Sequence, residues 1–373
     1  MAVSVRCTVA FDVTPLLGAH TGVAAFTAGA LTALALRDDV GLSAYAVTWR
    51  GRDRLAGAAP ADVSVCSRPM AARPLRALWR RFDVPPIEWW TGRVDVVHGT
   101  NFVVPPASRA AEVVTVHDLT PIRYPEMSTA DTLQYPGLLR RALERGAFVH
   151  TPSQFVADEV VDLLGASTER VRAVHHGVPP VAAGDPAVGR ARAGGPRYVL
   201  ALGTVEPRKG LGTLVAAFDG LAGDDADLRL VVAGPDGWGV QELETAIAGA
   251  RHRGRIVRLG WVSATERAGL LAGASVFAYP SVYEGFGFPP LEAMAVGVPV
   301  VATTAGALPE VLGDAADLVR PGDVDALAAA LGRALGDDGA REALIRRGHE
   351  QVARYRWSTC ADGLIDLYRA ACA

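Results

Sequence analysis

Residues 197–211, RYVLALGTVEPRKGL, join a short apolar run to a glycine turn and the start of a new segment. The run YVLAL is continuously apolar rather than alternating, which indicates a strand covered on both faces, as in a parallel sheet. Similar runs, separated by helical patterns, recur along most of the chain. This strand–helix–strand order predicts an α/β protein with two doubly wound, Rossmann-like domains.

The apolar runs form two sets, one in each half of the chain. In the first half they cover residues 5–13, 42–48, 94–99, 112–118, 148–153 and 171–177. In the second half they cover residues 197–204, 228–234, 256–261, 275–281, 298–304 and 316–321. Residues 181–196, rich in Gly, Ala and Pro, predict a linker, and residues 357–373 predict a capped amphipathic helix. We therefore expect domains at 1–180 and 197–356, facing a cleft at the carboxyl ends of their strands.

Length, charge and cysteine content narrow the class of protein. A chain of 373 residues is long for a single hydrophobic core, which favours two domains. A net charge of −3 gives no reason to expect the basic surface that a nucleic-acid-binding protein needs. The four scattered cysteines lack metal-ligand spacing and are interpreted as buried apolar thiols in a reducing compartment. No signal-peptide pattern and no membrane-spanning run are visible. We expect a cytoplasmic protein, at most peripheral to the inner face of the cell membrane.

The segment YEGFGFPPLEAM (283–294) contains two glutamates on either side of a Pro-Pro pair. The prolines suit the first turn of a helix, so Glu284 precedes that helix and Glu292 lies about one turn inside it. Gly285 and Gly287 allow backbone N–H groups to approach a ligand, and a helix N-terminus favours an anion. Carboxylates can grip the hydroxyls of a diol, so the pattern indicates a nucleotide sugar. Alternatively, Glu292 only complements the helix dipole and Glu284 is solvated.

The segment GTVEPRKGL (203–211) contains Lys209, the one lysine among 37 basic residues, next to Arg208. It follows directly on the first strand of the second half. A guanidinium and an ammonium at a strand end form a clamp suited to a pyrophosphate. The alternative is that both are ordinary surface charges near the start of a helix.

Two strand ends in the first half carry weaker signals. DVTPLLGAHTGVAAF (12–26) supplies Gly18 and Gly22 before an apolar helix, but it is not GxGxxG, which disfavours a dinucleotide fold of the dehydrogenase kind. HDLTPIRYPE (117–126) places His117 and Asp118 at another strand end. These two residues could also simply cap the following turn.

Together these segments resemble the retaining glycosyltransferases of the GT-B fold, family 4 (group 1) type. Residues 280–316, PSVYEGFGFPPLEAMAVGVPVVATTAGALPEVLGDAA, match the signature block of that family, with its two glutamates separated by seven residues. GTVEPRKGL matches its Arg-Lys phosphate loop. FDVTPLLGAHTGV, VVHGTNFVVPP and VTVHDL match its acceptor-side half. The resemblance spans nearly the whole chain.

The resemblance implies roles for individual residues. Arg208 and Lys209 would hold the donor's diphosphate, and Glu292 would bind the ribose hydroxyls. Glu284 would lie by the hydroxyls of the donor sugar, and His117 beneath the transferring sugar. Further donor contacts are implied for Gly18, Gly22, Gly203, Val262, Gly285, Phe286 and Gly287. The N-terminal domain would bind the acceptor, with the last helix packing back on it, and the C-terminal domain would bind the nucleotide sugar.

The implied reaction is transfer of a hexose from a nucleoside-diphosphate sugar, with GDP-mannose as the first guess, to a glycan or lipid-linked acceptor in polysaccharide biosynthesis. The resemblance favours same-face displacement, in which the donor phosphate takes the acceptor proton, over a glutamate nucleophile. Two alternatives remain: a nucleotide-sugar epimerase of similar architecture, and a non-catalytic nucleotide-sugar sensor.

No cofactor and no catalytic metal are expected, since the nucleotide sugar is a substrate. Two DxD matches, Asp225/Asp227 and Asp323/Asp325, lie near helix ends, where capping or solvation explains them.

Residues 68–90, RPMAARPLRALWRRFDVPPIEWW, interleave arginines with tryptophans. We interpret this segment as a helix whose arginines extend over the core of their own domain. The alternative is peripheral contact with an anionic membrane that carries a lipid-linked acceptor.

Overall fold

The apolar runs form two separate parallel sheets in the computed structural model, which describes residues 7–18 and 21–373. The chain divides into two units. The first comprises the residues up to Gly177 together with Tyr355–Ala373, and the second comprises Val178–Arg354. The last helix of the chain therefore belongs to the first unit.

Within its described residues, the first unit contains seven strands. They are β1 (Cys7–Asp12), β2 (Val40–Tyr45), β3 (Ser64–Cys66), β4 (Val96–Gly99), β5 (Ala111–Thr115), β6 (Phe148–Thr151) and β7 (Val171–Ala173). All pair in parallel, in the order β3-β2-β1-β4-β5-β6-β7. The order reverses between β1 and β4, as in a doubly wound sheet.

The second unit has a six-stranded parallel sheet. Its strands are β8 (Arg197–Leu202), β9 (Leu228–Ala233), β10 (Ile256–Gly260), β11 (Val276–Tyr279), β12 (Val300–Thr303) and β13 (Ala316–Val319). Their order is β10-β9-β8-β11-β12-β13, which reverses between β8 and β11. The interior of β8, from Tyr198 to Leu202, is buried, as its continuous apolar sequence predicts.

Helices connect the strands in both units. Those before the second unit are α1 (Gly22–Ala35), α2 (Leu55–Ala58), α3 (Ala72–Trp79), α4 (Glu88–Thr91), α5 (Thr120–Arg123), α6 (Tyr135–Glu144) and α7 (Gln154–Leu164). The second unit contains α8 (Pro186–Ala193), α9 (Leu211–Leu221), α10 (Val240–Gly249), α11 (Ala264–Gly273), α12 (Phe288–Ala295), α13 (Leu308–Leu312), α14 (Val324–Gly336) and α15 (Asp338–Val352). The chain then returns to the first unit with α16 (Trp357–Cys372).

Two local predictions differ from the structure. The strand β3 was not predicted, because its three residues are short and partly exposed and carry little apolar signal. Residues 181–196 are not an unstructured linker: they contain α8, which packs against α11. Asp185 caps α8 by accepting a hydrogen bond from Ala187 N at 2.8 Å, Pro186 occupies its first turn, and Gly194 ends it at φ 71°.

The cysteine prediction is only partly right. Cys360 is buried in α16, whereas Cys372 is exposed at the end of that helix. None of the helices in the described part of the chain is both long and apolar enough to cross a lipid bilayer.

The core of the first unit contains a chain of hydrogen bonds between buried polar side chains. Tyr368 of α16 lies 2.7 Å from His98 Nδ1, and His98 Nε2 lies 2.8 Å from Thr115 Oγ1. Thr115 Oγ1 lies 2.9 Å from His150 Nδ1, and His150 Nε2 lies 3.0 Å from the carbonyl oxygen of Val174. Because a carbonyl can only accept, the last link fixes the direction of every other bond, from the tyrosine hydroxyl to the carbonyl.

Burial keeps these histidines neutral. It lowers the pKa of His150 to about 3, and it lowers the pKa of His98 well below its usual range, with a further contribution from nearby His150. Neutral rings suit the hydrogen-bond chain, because each histidine in it uses one nitrogen as donor and the other as acceptor. The chain joins three strands of the sheet to α16.

Candidate functional site

The predicted clamp lies where the sheet of the second unit reverses its strand order. Arg208 and Lys209 follow β8, and Glu284 follows β11, the two strands that flank the reversal. In open α/β sheets, ligands bind at the carboxyl ends of the strands at this point. A small cavity at this edge is lined by Gly203, Lys209 and Tyr279, among others.

The loops after β8 and β11 approach each other closely. Arg208 and Lys209 belong to a single 3-10 turn, Pro207–Lys209, which ends at Gly210 with φ 60°. A Cβ at Gly210 would lie 2.2 Å from the carbonyl oxygen of Pro280. Both this close approach and the positive φ therefore require glycine at position 210. The loops are also joined by a hydrogen bond of 2.8 Å from Val282 N to the carbonyl oxygen of Arg208.

This approach brings both cations onto one carboxylate. Lys209 Nζ lies 2.6 Å from Glu284 Oε1, and Arg208 Nη1 lies 3.0 Å from Glu284 Oε2. Ser281 Oγ donates a further hydrogen bond of 2.8 Å to Glu284 Oε1. Both carboxylate oxygens are therefore engaged by donors. Glu284 is buried, so the alternative in which it is solvated is wrong.

Two more side chains complete the cluster. Lys209 Nζ donates to the hydroxyl oxygen of Tyr279 at 2.9 Å, and Arg208 Nε donates to Glu206 Oε2 at 2.8 Å. Two cations thus face two carboxylates, Glu206 and Glu284, which together balance their charge. Arg208 and Lys209 are not ordinary surface charges, because both side chains are largely buried.

Burial and charge act against each other on the ionisable groups of this cluster. Burial alone would raise the pKa of Glu284, but Arg208 and Lys209 hold it down at about 2. Burial lowers the pKa of Lys209, as does the neighbouring Arg208, and the attraction of Glu284 opposes both. Burial and the charge of Glu284 raise the pKa of Tyr279 well above its ordinary value. The glutamate is therefore firmly ionised and Tyr279 stays neutral.

The second glutamate of the signature segment lies apart from this cluster. Glu292 is buried in α12, and its Oε2 accepts a hydrogen bond from Arg267 Nη2 of α11. It is not among the residues that line the small cavity, and no hydrogen bond or ion pair joins it to Lys209 in the described part of the chain. Its partner is a cation rather than the helix dipole alone, so the simple dipole interpretation is incomplete.

The other residues of the second unit that are predicted to contact the donor lie at the same edge of the sheet. Gly203 follows β8 at φ 147°, and Val262 follows β10 and is half-buried. Gly285, Phe286 and Gly287 form the buried loop before α12, which Gly287 opens with φ 108°.

The first-unit candidates follow its own strand ends. Gly18 closes a 3-10 turn after β1, and its N–H donates to the carbonyl oxygen of Pro15 at 3.4 Å. Gly22 is the first residue of α1, whose N-cap is Thr21. Residues 19–20 of this predicted loop lie outside the described residues.

His117 follows β5 and is half-buried against Phe26. Its Nε2 donates to the carbonyl oxygen of Thr100 at 2.8 Å, and burial lowers its pKa despite that bond and the nearby Asp118. The ring is therefore neutral, with Nδ1 as the acceptor nitrogen. Asp118 Oδ1 accepts a bond of 2.9 Å from Thr120 N and so stabilises the turn that follows, as one alternative expected.

Several residues of the site were not predicted from the sequence. Tyr279 and Ser281 flank Pro280 at a strand end, a position that could have drawn attention to them. No local sequence pattern predicted a role for Arg267, because its partner Glu292 is 25 residues away in the chain. Gly210 was not separated from other glycines, since its role depends on a loop that is distant in sequence.

The two DxD matches have local roles. Asp225 Oδ1 accepts a bond from Asp227 N at 3.0 Å, and Asp323 Oδ1 accepts one from Ala326 N at 2.9 Å as the N-cap of α14. Across the described residues, no three His, Cys, Asp or Glu side chains come together in a way that could hold a metal ion.

Comparison with known families gives two matches. Residues 189–351 match the family described as glycosyl transferases group 1, and residues 30–181 match Glycosyltransferase Family 4. The first match contains the cluster around Glu284, and the second contains His117.

Individual proteins are similar over much of the chain. The chain is 33% identical over 283 residues to the O-antigen chain mannosyltransferase B of Escherichia coli, covering 74% of each protein. Its fold is similar to that of sucrose-phosphate synthase from Thermosynechococcus elongatus, with a TM-score of 0.75, 21% identity and coverage of 98% of both chains. It is also similar to Anabaena Alr3699/HepE in complex with UDP and glucose, with a TM-score of 0.72, 18% identity and coverage of 96% of this chain and 98% of that one.

Proposed function

The chain belongs to the family 4 (group 1) glycosyltransferases of the GT-B fold, and from this premise we propose that it transfers a hexose with retention of configuration from a nucleoside-diphosphate sugar to a glycan or lipid-linked acceptor. The observation that carries the proposal is the cluster of Arg208, Lys209 and Glu284 at the strand reversal of the second unit. GDP-mannose is the first donor to test, because the similar E. coli protein is named a mannosyltransferase.

The cluster is suited to bind a diphosphate. Its two cations are held in place by carboxylates and by Tyr279, so their geometry exists before the donor arrives. A diphosphate would bring additional negative charge to cations that Glu284 and Glu206 already orient. Preorganised positive groups of this kind stabilise the charge that develops on a leaving phosphate.

Glu284 is better suited to orient the side chains of Arg208 and Lys209 than to attack the sugar. Both its oxygens are engaged by cations, and a pKa of about 2 describes a weakly basic carboxylate. We therefore assign the reaction to same-face displacement. The acceptor hydroxyl bonds to the anomeric carbon, the bond from that carbon to the diphosphate oxygen breaks, and a phosphate oxygen takes the acceptor proton.

We assign the acceptor to the first unit and the donor to the second. His117 would lie beneath the transferring sugar, where a neutral imidazole adds polarity without a competing positive charge. Glu292 would bind the ribose hydroxyls, and Val262 with the loop of Gly285, Phe286 and Gly287 would contact the base, sugar or phosphate.

The test is a calorimetric panel of GDP, UDP, ADP and dTDP with their sugars, followed by a transfer or hydrolysis assay with the donor that binds. We expect one clear preference among the bases, lost in the Arg208→Ala/Lys209→Ala variant. Arg333→Ala is the matched control, since Arg333 pairs with Asp317 at 2.6 Å elsewhere in the same unit. If the protein shows no preference in affinity among the four diphosphates, the proposed donor site is contradicted. If a donor binds but is neither transferred nor hydrolysed, a non-catalytic nucleotide-sugar sensor is favoured.

We further propose that residues 68–90 contact an anionic membrane surface. Trp79 and Ile87 are core residues, as one interpretation expected, but Leu78, Phe82, Val84 and Trp89 are exposed. Arg73, Arg80 and Arg81 are exposed beside them. Exposed apolar side chains among arginines fit the interface of an anionic bilayer.

Vesicle co-sedimentation tests this contact. We expect binding to phosphatidylglycerol vesicles and much weaker binding to phosphatidylcholine vesicles, with about a tenfold loss in Phe82→Ser. Leu36→Ser is the control, because Leu36 is an exposed apolar residue of the same unit outside this segment. Equal binding by both variants and the wild type would place the contact elsewhere.

A further inference from the structure

Arg267 and Glu292 form an ion pair between α11 and α12. We propose that Arg267 is a positioning residue for ribose recognition: it holds one oxygen of the Glu292 carboxylate and leaves the other to accept hydroxyl donors from the ribose of a nucleoside diphosphate. This inference rests on the proposed function, in which Glu292 binds the ribose.

Arg267 comes from a helix turn that is itself fixed. Ser263 Oγ accepts a bond of 3.2 Å from Glu266 N, and Glu266 Oε2 accepts one of 2.9 Å from Ser263 N, which together form a capping box. Glu266 Oε1 is paired with Arg192 of α8 at 3.1 Å. Arg267 is the next residue along, so its backbone is anchored one position from this network.

Glu292 needs such an anchor. A glutamate has three side-chain torsions, and a carboxylate that must meet two hydroxyls loses affinity if it samples several orientations. Arg267 Nη2 engages Oε2, whereas Oε1 has no other hydrogen-bond partner among the residues that the structure describes. The guanidinium thereby fixes the orientation of the carboxylate, whose remaining oxygen can accept hydrogen bonds from a diol.

A purely structural role is the competing explanation. In that case the ion pair would only join α11 to α12, and its loss would weaken every ligand of the unit equally. A positioning role differs in one measurable respect. Loss of Arg267 would weaken ligands that carry both ribose hydroxyls more than ligands that lack one of them.

The experiment compares the affinities of GDP and 2′-deoxy-GDP by calorimetry, with UDP and 2′-deoxy-UDP as a second pair. We expect the wild type to prefer the ribose form about tenfold, the effect of one hydrogen bond to a charged acceptor. In Arg267→Ala the preference should fall towards equality, and Arg267→Lys should restore part of it. Arg333→Ala, which removes another ion-paired arginine of the second unit, should keep the full preference.

Each outcome separates this inference from the proposed function. An equal loss of both ligands in Arg267→Ala, or an unchanged preference, overturns the positioning role while leaving the glycosyltransferase proposal intact. A wild type that binds the ribose and 2′-deoxyribose forms with equal affinity also overturns the positioning role, because Glu292 then does not recognise the 2′-hydroxyl. A wild type that binds none of the diphosphates contradicts the proposed donor site itself. Arg267→Lys keeps the test decisive if Arg267→Ala does not fold.

Discussion

The histidines buried in the first unit and the ion cluster buried in the second unit are in opposite charge states, although both lie near the carboxyl ends of strands. The first unit buries neutral histidines, joined with Thr115 and Tyr368 into a directed chain of hydrogen bonds. The second unit buries full charges, two cations against the carboxylates of Glu206 and Glu284. A neutral chain whose donors and acceptors are all matched has no charge to offer a ligand. A cluster of cations that carboxylates neutralise can still attract an anionic ligand, because the anion can share the cations with the carboxylates. Burial alone therefore does not predict an anion site, whereas buried and balanced charge at a strand reversal is the pattern on which the proposed donor site rests.

Removing the shared carboxylate should have the largest effect. In Glu284→Gln the two cations lose most of their compensation, and we expect a loss of about 3–5 kcal/mol in the free energy of unfolding, typical of a broken buried ion pair. Urea denaturation measures this loss, with the exposed Glu244→Gln as the control. Pyrophosphate should stabilise Glu284→Gln more than the wild type, because it replaces the missing negative charge. If pyrophosphate stabilises neither protein, the cations do not bind phosphate.

The neutral chain should respond to the loss of its central hydroxyl. Thr115→Val leaves His98 Nε2 and His150 Nδ1 without their shared partner, at about 1–3 kcal/mol for each buried polar group. We expect the free energy of unfolding to fall by about 2–4 kcal/mol, with donor affinity unchanged. Thr245→Val is the control, since the Thr245 hydroxyl bonds only to the carbonyl of Gln241 on an exposed helix face. A change of less than about 0.5 kcal/mol would show that Thr115 does not bridge the two rings.

The charged cluster should lose ligand affinity when one of its two cations is removed. In Lys209→Met the apolar stem remains and Glu284 keeps its bond to Arg208. We expect nucleoside-diphosphate affinity to fall about ten- to hundredfold, the range for a hydrogen bond to a charged group. Calorimetry measures the affinity and thermal unfolding checks the fold. An unchanged affinity would exclude Lys209 from the donor site.

The two units should also differ in their response to mild acid. His150 has a folded pKa of about 3 against an ordinary value of 6.5, so its neutral form contributes stability that is complete above pH 6.5 and is lost as pH falls below it. At about pH 5.5 this amounts to about 1 kcal/mol for His150. Glu284, with a pKa of about 2 against 4.5, keeps its contribution until pH falls below 4.5.

Hydrogen exchange, corrected for intrinsic rates, measures this difference strand by strand. Between about pH 7.5 and pH 5.5, protection should fall in β4 and β6, which carry His98 and His150, and persist in β8 and β11. A parallel decline in both sheets would mean that the histidines do not control the acid response.

Local sequence predicted the elements of both sheets well, because their strands are buried on both faces and their apolar runs are unbroken. The exceptions are short or locally ambiguous: β3 has three residues, and α8 is a Gly- and Ala-rich helix recognisable mainly from Asp185 and Gly194 at its ends. Lys209 and Glu284 could be predicted because each lies in the loop that follows a strand.

The partners of these residues could not be predicted in the same way. Tyr279 is the last residue of an apolar strand and has the pattern of a core position, yet its hydroxyl accepts from Lys209. Arg267 reaches Glu292, and Gly210 meets Pro280, across distances in sequence that no local pattern records. A sequence identifies which side chains stand at strand ends, whereas the folded loops decide which of them meet.

The return of the last helix to the first unit bears on how the protein is made. The second unit is a continuous stretch of chain, whereas the first needs α16 from the far end. On the ribosome, domains fold as units once their residues have emerged. The second unit can therefore fold during translation while the first still lacks Tyr368, the hydroxyl that begins its hydrogen-bond chain. Although most of the first unit precedes the second in the sequence, it is completed only after α16 has been made.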